Sequence, residues 1–286
     1  MITREYKPGH PLGIHRVIEP AGVLPQPADK IDNNMEIYDN EVLIDVHTLN
    51  IDSASFTEIE RRANGDVEEI LDIRLEIDQV DVKGQAILFQ SGLYGILPTD
   101  MPKELALSVL DVAGAPAQTA KICKPGDTVV VMGGGGKSGI LCCWQAKRQV
   151  GVNGKVICVD GFKKSINRAM SVHCADEYLV ANATDAVGMY NEIMDLTDGE
   201  LADVVINVVN IPNTEMSSIL ACKDEGLVYF FSMATSFTKA ALGAEGVGKD
   251  VNMMVGNGYT KGHARAALQV LREDEGIMKL FAELYA

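Results

Sequence analysis

The sequence predicts an α/β chain in which a doubly wound parallel sheet follows an irregular, strand-bearing front half. Three observations predict it. From about residue 116 to 257, short apolar runs alternate with helix-period segments, the pattern of parallel strands joined by crossover helices. These runs are continuously apolar rather than alternating, as strands buried on both faces require. One strand-to-helix junction carries four consecutive glycines, Gly133 to Gly136, with Gly139 just beyond.

The elements follow in chain order. The front half, residues 1 to about 115, holds strand-like runs at Glu41 to Val46, Ile73 to Val82 and Ala86 to Phe89. Pro20, Pro25 and Pro27 make its start rich in loops. After the turn Lys124-Pro-Gly-Asp come expected strands at Thr128 to Met132, Lys155 to Val159, Glu177 to Val180, Asp203 to Val209, Leu227 to Ser232 and Val251 to Val255. Helices are expected between them at Lys137 to Val150, Lys164 to His173, Ala186 to Leu196 and Asn213 to Cys222. A helical tail, 258 to 286, ends the chain, with Ala267, Val270 and Leu271 on one apolar face and Ile277, Leu280, Phe281 and Leu284 on the next.

Composition narrows the function. A chain of 286 residues, 47% hydrophobic and 23% charged, has the make-up of a globular protein of one large or two ordinary domains. No apolar run reaches the roughly 18 residues of a membrane span. Met1 to His10 lacks the apolar segment of a secretory signal. A cytoplasmic protein without a membrane partner is therefore expected. The net charge of −15 disfavours a nucleic-acid partner. It suits a cationic substrate, and it serves solubility equally well. The six cysteines form no C-x-x-C pair and read as reduced thiols in the core.

The glycine run carries the chemistry. Gly134, Gly136 and Gly139 form G-x-G-x-x-G, and Gly133, Gly136 and Gly139 give a shifted reading. Glycine lets the backbone turn tightly and approach a pyrophosphate, while the helix start offers free N–H groups and a positive dipole end. The motif has its required context, with a strand before it, a helix after it and a second strand ending in Asp160, 21 positions past Gly139. A carboxylate there accepts hydrogen bonds from ribose hydroxyls and repels a 2′-phosphate, which favours NAD over NADP. Lys163 and Lys164 close by weaken that preference. Gly136-Lys137-Ser138 also invites a triphosphate-loop reading, but Val131 stands where that loop needs glycine. The cofactor set is thus Gly133, Gly134, Gly135, Gly136, Lys137, Ser138, Gly139 and Asp160. Val208, Val209, Ser232, Met233 and Asn257 join it at the carboxyl ends of later strands, where ligands of open parallel sheets bind. Plain strand-end packing is the alternative for Val208, Val209, Ser232 and Met233.

Several longer stretches point further. They are Gly13-Ile-His-Arg-Val-Ile-Glu-Pro, Gly22-Val-Leu-Pro-Gln-Pro-Ala, Lys30-Ile-Asp-Asn-Asn-Met-Glu-Ile-Tyr, Thr48-Leu-Asn-Ile-Asp-Ser-Ala-Ser-Phe and Asp111-Val-Ala-Gly-Ala-Pro-Ala-Gln, together with the glycine loop and Cys142-Cys143 behind it. Over almost its whole length the chain resembles the L-erythro-3,5-diaminohexanoate dehydrogenases of lysine fermentation, a branch of the medium-chain dehydrogenase/reductase superfamily. The resemblance implies a GroES-like, mostly β catalytic domain at 1–115, to which 258–286 returns, and a Rossmann-type domain at 116–257. It implies NAD-dependent oxidative deamination of (3S,5S)-3,5-diaminohexanoate to (5S)-5-amino-3-oxohexanoate, ammonia and NADH, by a homodimer or homotetramer. It also implies a further stretch, containing Asn-Pro-Val-Thr-Gly, between about Ile70 and Leu71, which this chain lacks.

The reaction needs a base or proton path at the amine and partners for the substrate's charges. Asp52, Ser53 and Ser55 are the first candidates for catalysis, with Asn50 beside them on the substrate side; a helix N-cap is their alternative. Glu19 is a second carboxylate, and a solvated loop charge is its plainer reading. His15 and Arg16 can bind the substrate carboxylate, Arg16 through its planar donor fork, or stand as a surface pair. Tyr259 and Asn257 can approach the nicotinamide end. Alcohol-oxidising members of the superfamily use zinc, but this chain has no cysteine before Cys123 and only His10, His15 and His47 in its front half, so no metal is expected. Two other functions fit parts of the pattern: a zinc-free quinone or enoyl reductase using NADPH, and a non-catalytic nucleotide-binding protein.

Overall fold

The computed structural model describes residues 6–50, 79–256 and 258–285. The chain divides into a front unit that ends at Ile96 and a larger unit whose described residues begin at Leu97.

The front unit is built from two antiparallel pairs. Strand β1 (Val17–Glu19) pairs with β2 (Lys30–Ile31), and β3 (Glu41–Asn50) pairs with β4 (Gln79–Phe89), with a bulge between Val46 and Thr48. The expected run Glu41 to Val46 thus continues to Asn50. The described part of the expected run Ile73 to Val82, from Gln79 onward, joins the run Ala86 to Phe89 in one strand, and residues 73–78 lie outside the described residues. Polar Lys83, Gly84 and Gln85 interrupt the apolar pattern there, but the backbone ladder runs through them, pairing Gly84 with Val46 and Gln85 with Asp45.

The larger unit opens with helices α1 (Lys103–Leu110) and α2 (Gly114–Ile122). Then β5 (Thr128–Met132), α3 (Lys137–Val150), β6 (Lys155–Asp160), α4 (Lys163–Ser171) and β7 (Glu177–Val180) make the first half of the sheet. Helix α5 (Ala186–Leu196) crosses to β8 (Ala202–Asn207), which is followed by α6 (Glu215–Ala221), β9 (Cys222–Phe230), α7 (Phe237–Val247) and β10 (Asn252–Val255). Helices α8 (His263–Glu273) and α9 (Glu275–Tyr285) finish the chain. All six strands are parallel, in the order β10-β9-β8-β5-β6-β7. The chain therefore reverses its direction of travel between β5 and β8, where such sheets bind ligands.

The apolar runs behave as the sequence requires. Val129 and Val131 of β5 face a core shared with α1–α4, α8 and α9, while Val130 and Met132 face a second core shared with α5, α6 and α7. Alternate side chains point to opposite faces and both faces are covered, so nothing in the run can be polar.

The helical tail packs on the larger unit: Ala267, Val270, Leu271, Ile277 and Phe281 lie in one core with Leu105, Ala115 and Ile140. Two element limits differ from those expected. Strand β9 begins at Cys222, not Leu227. Residues 223–225 are polar because they loop outward between buried Cys222 and buried Gly226; a register shift lies there between Ala202 and Val204 on β8, and Glu225 has φ 62°. Helix α6 starts only at Glu215, since Asn213 stands at φ 68°, outside the right-handed helical region.

Candidate functional site

On the larger unit, the glycine loop is shaped by what surrounds it. Gly133 takes φ 80°, in the left-handed region, and its α-carbon lies against Val208 and Val209 just past the end of β8. The N–H groups of Gly133 and Gly134 both donate to the Val159 carbonyl of β6 at 2.9 Å. A Cβ at Gly134 would sit 2.5 Å from the Cys158 sulfur, and one at Gly135 would sit 2.5 Å from the Ser165 backbone. A Cβ at Gly139 would overlap the Gly133 carbonyl oxygen. The glycines therefore let β6, α4 and the start of α3 close on one turn. No side chain caps α3 at Gly136, so its first N–H groups are open to an anion.

Asp160 ends β6 beside this turn. Its carboxylate accepts from the N–H of Gly135 at 3.2 Å and of Phe162 at 3.1 Å, and keeps lone pairs for further donors. Two neighbours escaped the sequence reading. Phe162 is 74% exposed next to the acid, and Arg168 donates to the Gly135 carbonyl at 3.3 Å. A large apolar residue two positions after the strand-end acid was a visible signal; the placement of Arg168 depends on a turn of α4 and left none.

The carboxyl ends of β8 and β9 are ordered by one buried amide. Asn207 donates to the hydroxyls of Thr214 and Ser218, both at 2.8 Å, and its oxygen accepts from the Val209 N–H. Its carbonyl accepts from Phe231 and Ser232. This brings Val208, Val209 and Ser232 to the edge where Gly133 turns, whereas Met233 points out, 76% exposed. Lys137, the first residue of α3, forms an ion pair with Asp111 at 2.9 Å, over the ring of Tyr285. Tyr259 packs edge-on against His263 and is part-exposed.

In the front unit, His15 and Arg16 converge on Glu41. Arg16 donates from Nε to Glu41 at 2.9 Å and from Nη2 to its other oxygen at 2.6 Å. Its remaining donors meet the carbonyls of Asn34 at 2.6 Å and Glu36 at 2.7 Å. His15 Nδ1 accepts from the His10 N–H, so Nε2 is the donor to Glu41, at 2.8 Å. The hydrogen bonds from Arg16 hold the Glu41 carboxyl down to about 2, against the opposing effect of burial. The Arg16 fork, which the sequence offers to a substrate carboxylate or to a surface pair, is thus engaged by Glu41 and by three backbone carbonyls, the third that of Asp32 at 3.5 Å, with the Asp32 carboxylate 3.7 Å away. Glu19 is exposed at the end of β1. Asn50 ends β3 with both amide atoms buried and unpartnered. Asp52, Ser53, Ser55 and Asn257, and the Ile70/Leu71 junction, lie outside the described residues.

Among the described residues no group of three or more His, Cys, Asp or Glu side chains is disposed to hold a metal ion. No helix among them is long and apolar enough to cross a membrane. The six cysteines are free and buried, and burial pushes the thiols of Cys142 and Cys222 up to about 12.

Comparison with known proteins adds a family and a fold. The profile of the L-erythro-3,5-diaminohexanoate dehydrogenase N-terminal domain matches residues 15–73. The L-erythro-3,5-diaminohexanoate dehydrogenase of Acetoanaerobium sticklandii is 45% identical over 337 residues, covering 96% of this chain and 98% of that protein. The enzyme of the same name from Fusobacterium nucleatum is 45% identical, covering 98% of this chain and 99% of its own. The first alignment exceeds the 286 residues of this chain by 51 (337 less 286), so at least that many of its positions face gaps here. Among solved structures, AibC superposes with a TM-score of 0.58 at 15% identity, covering 83% of this chain and 81% of its own. The Escherichia coli quinone oxidoreductase complexed with NADPH does so at 0.53 and 16% identity, over 82% of this chain and 79% of that one.

Proposed function

The chain belongs to the L-erythro-3,5-diaminohexanoate dehydrogenase family, and from that premise we propose that it oxidises the 3-amino group of (3S,5S)-3,5-diaminohexanoate with NAD. The products are (5S)-5-amino-3-oxohexanoate, ammonia and NADH. The observation that carries this reading is 45% identity to two so-named enzymes across nearly the whole of each.

The residues of the larger unit fit the dinucleotide. The glycine turn leaves room for a pyrophosphate against the open N–H groups of α3. Asp160 receives the adenosine ribose hydroxyls and Phe162 offers a flat apolar face beside them. When bound, NAD accepts the hydride from C3. The chain's own task is to hold the diamino acid over the β8 and β9 ends, remove a proton from the 3-ammonium and admit water to the iminium carbon. Asn50 supports a substrate contact by its unpartnered amide, and Asp52, Ser53 and Ser55 follow it directly in sequence. The reading includes a cytoplasmic homodimer or homotetramer that works without metal.

The direct test mixes full-length protein with the diamino acid and NAD and follows NADH and ammonia together. Formation of both in equal amounts is expected, and formation of neither removes the reading. For the cofactor, Asp160→Ala is expected to weaken NAD binding roughly tenfold or more and to relax discrimination against NADP, since it deletes a charged acceptor. Unchanged affinity for both dinucleotides refutes the role of Asp160.

A further inference from the structure

We propose that Asp111 and Lys137 are the charged pair that reads the substrate's amino-acid end, Asp111 taking the 3-ammonium and Lys137 the carboxylate. The proposal rests on the amine dehydrogenase reading above; the glycine motif puts Lys137 with the cofactor, a role left here to its backbone, and neither the family match nor any motif gives the side chain of Asp111 or Lys137 a part in holding substrate.

The pair is unusual for its unit. Its Nζ–Oδ2 distance is 2.9 Å, and the two side chains are only 13% and 11% exposed. In every other ion pair described in the larger unit, one partner is at least two-fifths exposed. Desolvating two charges costs about as much as their attraction returns, so stability is a weak reason to bury them. The aromatic ring of Tyr285, 5.2 Å from Nζ, adds a face that favours a cation at this spot.

Its place in the fold identifies the ligand. Lys137 is the first residue after the glycine loop, so its backbone faces the pyrophosphate position while its side chain turns to Asp111, the residue that closes α1. Gly114, three residues on, lies against the backbone of Gly258, just past the carboxyl end of β10. The Asp111 corner therefore stands at the carboxyl edge of the sheet on the β8–β10 half. Asp160 marks the adenosine end on the opposite half, at β6. A dinucleotide that places its ribose on Asp160 and its phosphates on α3 carries its nicotinamide toward the Asp111 half.

The chemistry matches. A 3-amino acid carries an ammonium and a carboxylate one methylene apart, a compact dipole that an adjacent carboxylate and ammonium complement. With the pair opened by substrate, Lys137 holds the C1 carboxylate. Asp111 accepts one N–H proton from the 3-ammonium, which leaves the amine neutral with its electron pair on nitrogen, as loss of hydride from C3 demands. The carboxyl so formed returns that proton to water as the site reopens.

Asp111→Asn and Lys137→Gln keep shape and remove one charge each. The probes are NADH alone, then 3-aminobutanoate and sec-butylamine titrated calorimetrically into the full-length protein saturated with NADH. Expected is unchanged NADH affinity for both variants. Lys137→Gln loses roughly tenfold or more in 3-aminobutanoate affinity with sec-butylamine unaffected, and Asp111→Asn weakens both amines. In turnover, Lys137→Gln raises KM with kcat little changed, and Asp111→Asn lowers kcat. Two results overturn the proposal: ligand affinities and kinetics unchanged while only the melting temperature falls, or NADH affinity falling as far as amine affinity, which assigns Lys137 to the phosphates. Wild-type protein that binds 3-aminobutanoate through this pair but makes no NADH from the diamino acid rejects the functional reading and keeps the pair.

Discussion

In the larger unit two apolar cores lie on the two faces of the sheet, and among its described residues Glu215 is the one buried charge beside them. In the front unit the described side chains that are buried are two opposite charges, Arg16 and Glu41, while Leu12, Leu24, Val42 and Leu49 stand open to water. Apolar burial is non-directional and spread over many contacts, so it survives the loss of any one. An ion pair is directional, and losing one partner strands the other. Among its described residues the front unit therefore depends on a few polar bonds, since two antiparallel pairs of strands bury little apolar surface by themselves.

The largest effect that would break this contrast is at Glu41. Glu41→Gln keeps the shape but leaves Arg16 buried without its counter-charge, a loss of about 3–5 kcal/mol. Hydrogen exchange is expected to rise sharply across β3 and β4 while the larger unit is unaltered. Equal softening of both units would show that the front unit does not depend on this pair.

Acid should do the same by titration. The Glu41 carboxyl is held down from 4.5 to about 2. A depressed carboxyl contributes stability that is complete above its unfolded value and lost as pH falls through its folded one. The front unit is therefore expected to open between pH 4.5 and about 2, read as proteolytic cleavage before Ile96. Resistance throughout that window contradicts the assignment.

A smaller effect tests the other side. Gly139→Ala puts a methyl into the Gly133 carbonyl and the Gly134 backbone, so the loop must shift. Overpacking of this kind costs about 1–3 kcal/mol. NADH affinity is expected to fall roughly tenfold or more, with exchange in the front unit unchanged. Retained affinity would mean that the turn tolerates a shift without losing its phosphate position.

The same contrast explains what could be read from sequence. Strands β5 and β7 and helices α3 and α5 have the limits the pattern gives, because burial on both faces forces a continuous apolar run and glycine or a polar cap ends it. The glycine loop was legible because its residue type is dictated by contacts with Cys158 and Ser165. The Arg16–Glu41 pair was not legible, because a lone Arg in a proline-rich stretch, open to a substrate contact or a surface role, gives no hint of Glu41, 25 residues on. The Asp111–Lys137 pair was not legible either: its partners lie 26 positions apart, at the end of α1 and the start of α3, and ion pairs leave no periodicity.

The smallest effect sharpens the comparison most. Trp144 donates from its ring nitrogen to Asp274 at 3.0 Å, joining α3 to the start of α9. In polar terms this is the larger unit's counterpart to Arg16–Glu41, linking elements distant in sequence. Trp144→Phe removes the donor and keeps most of the ring, and Asp274 still accepts from the Ile277 N–H at 2.9 Å. The expected cost is about 0.5–1.5 kcal/mol, read as a small fall in the urea midpoint by circular dichroism with the slope unchanged. The apolar neighbours Cys143, Leu271 and Ile277 keep the helices in place without the bond. A loss as large as that of Glu41→Gln would mean that polar clamps hold this unit as well, and the distinction between the two halves would fall.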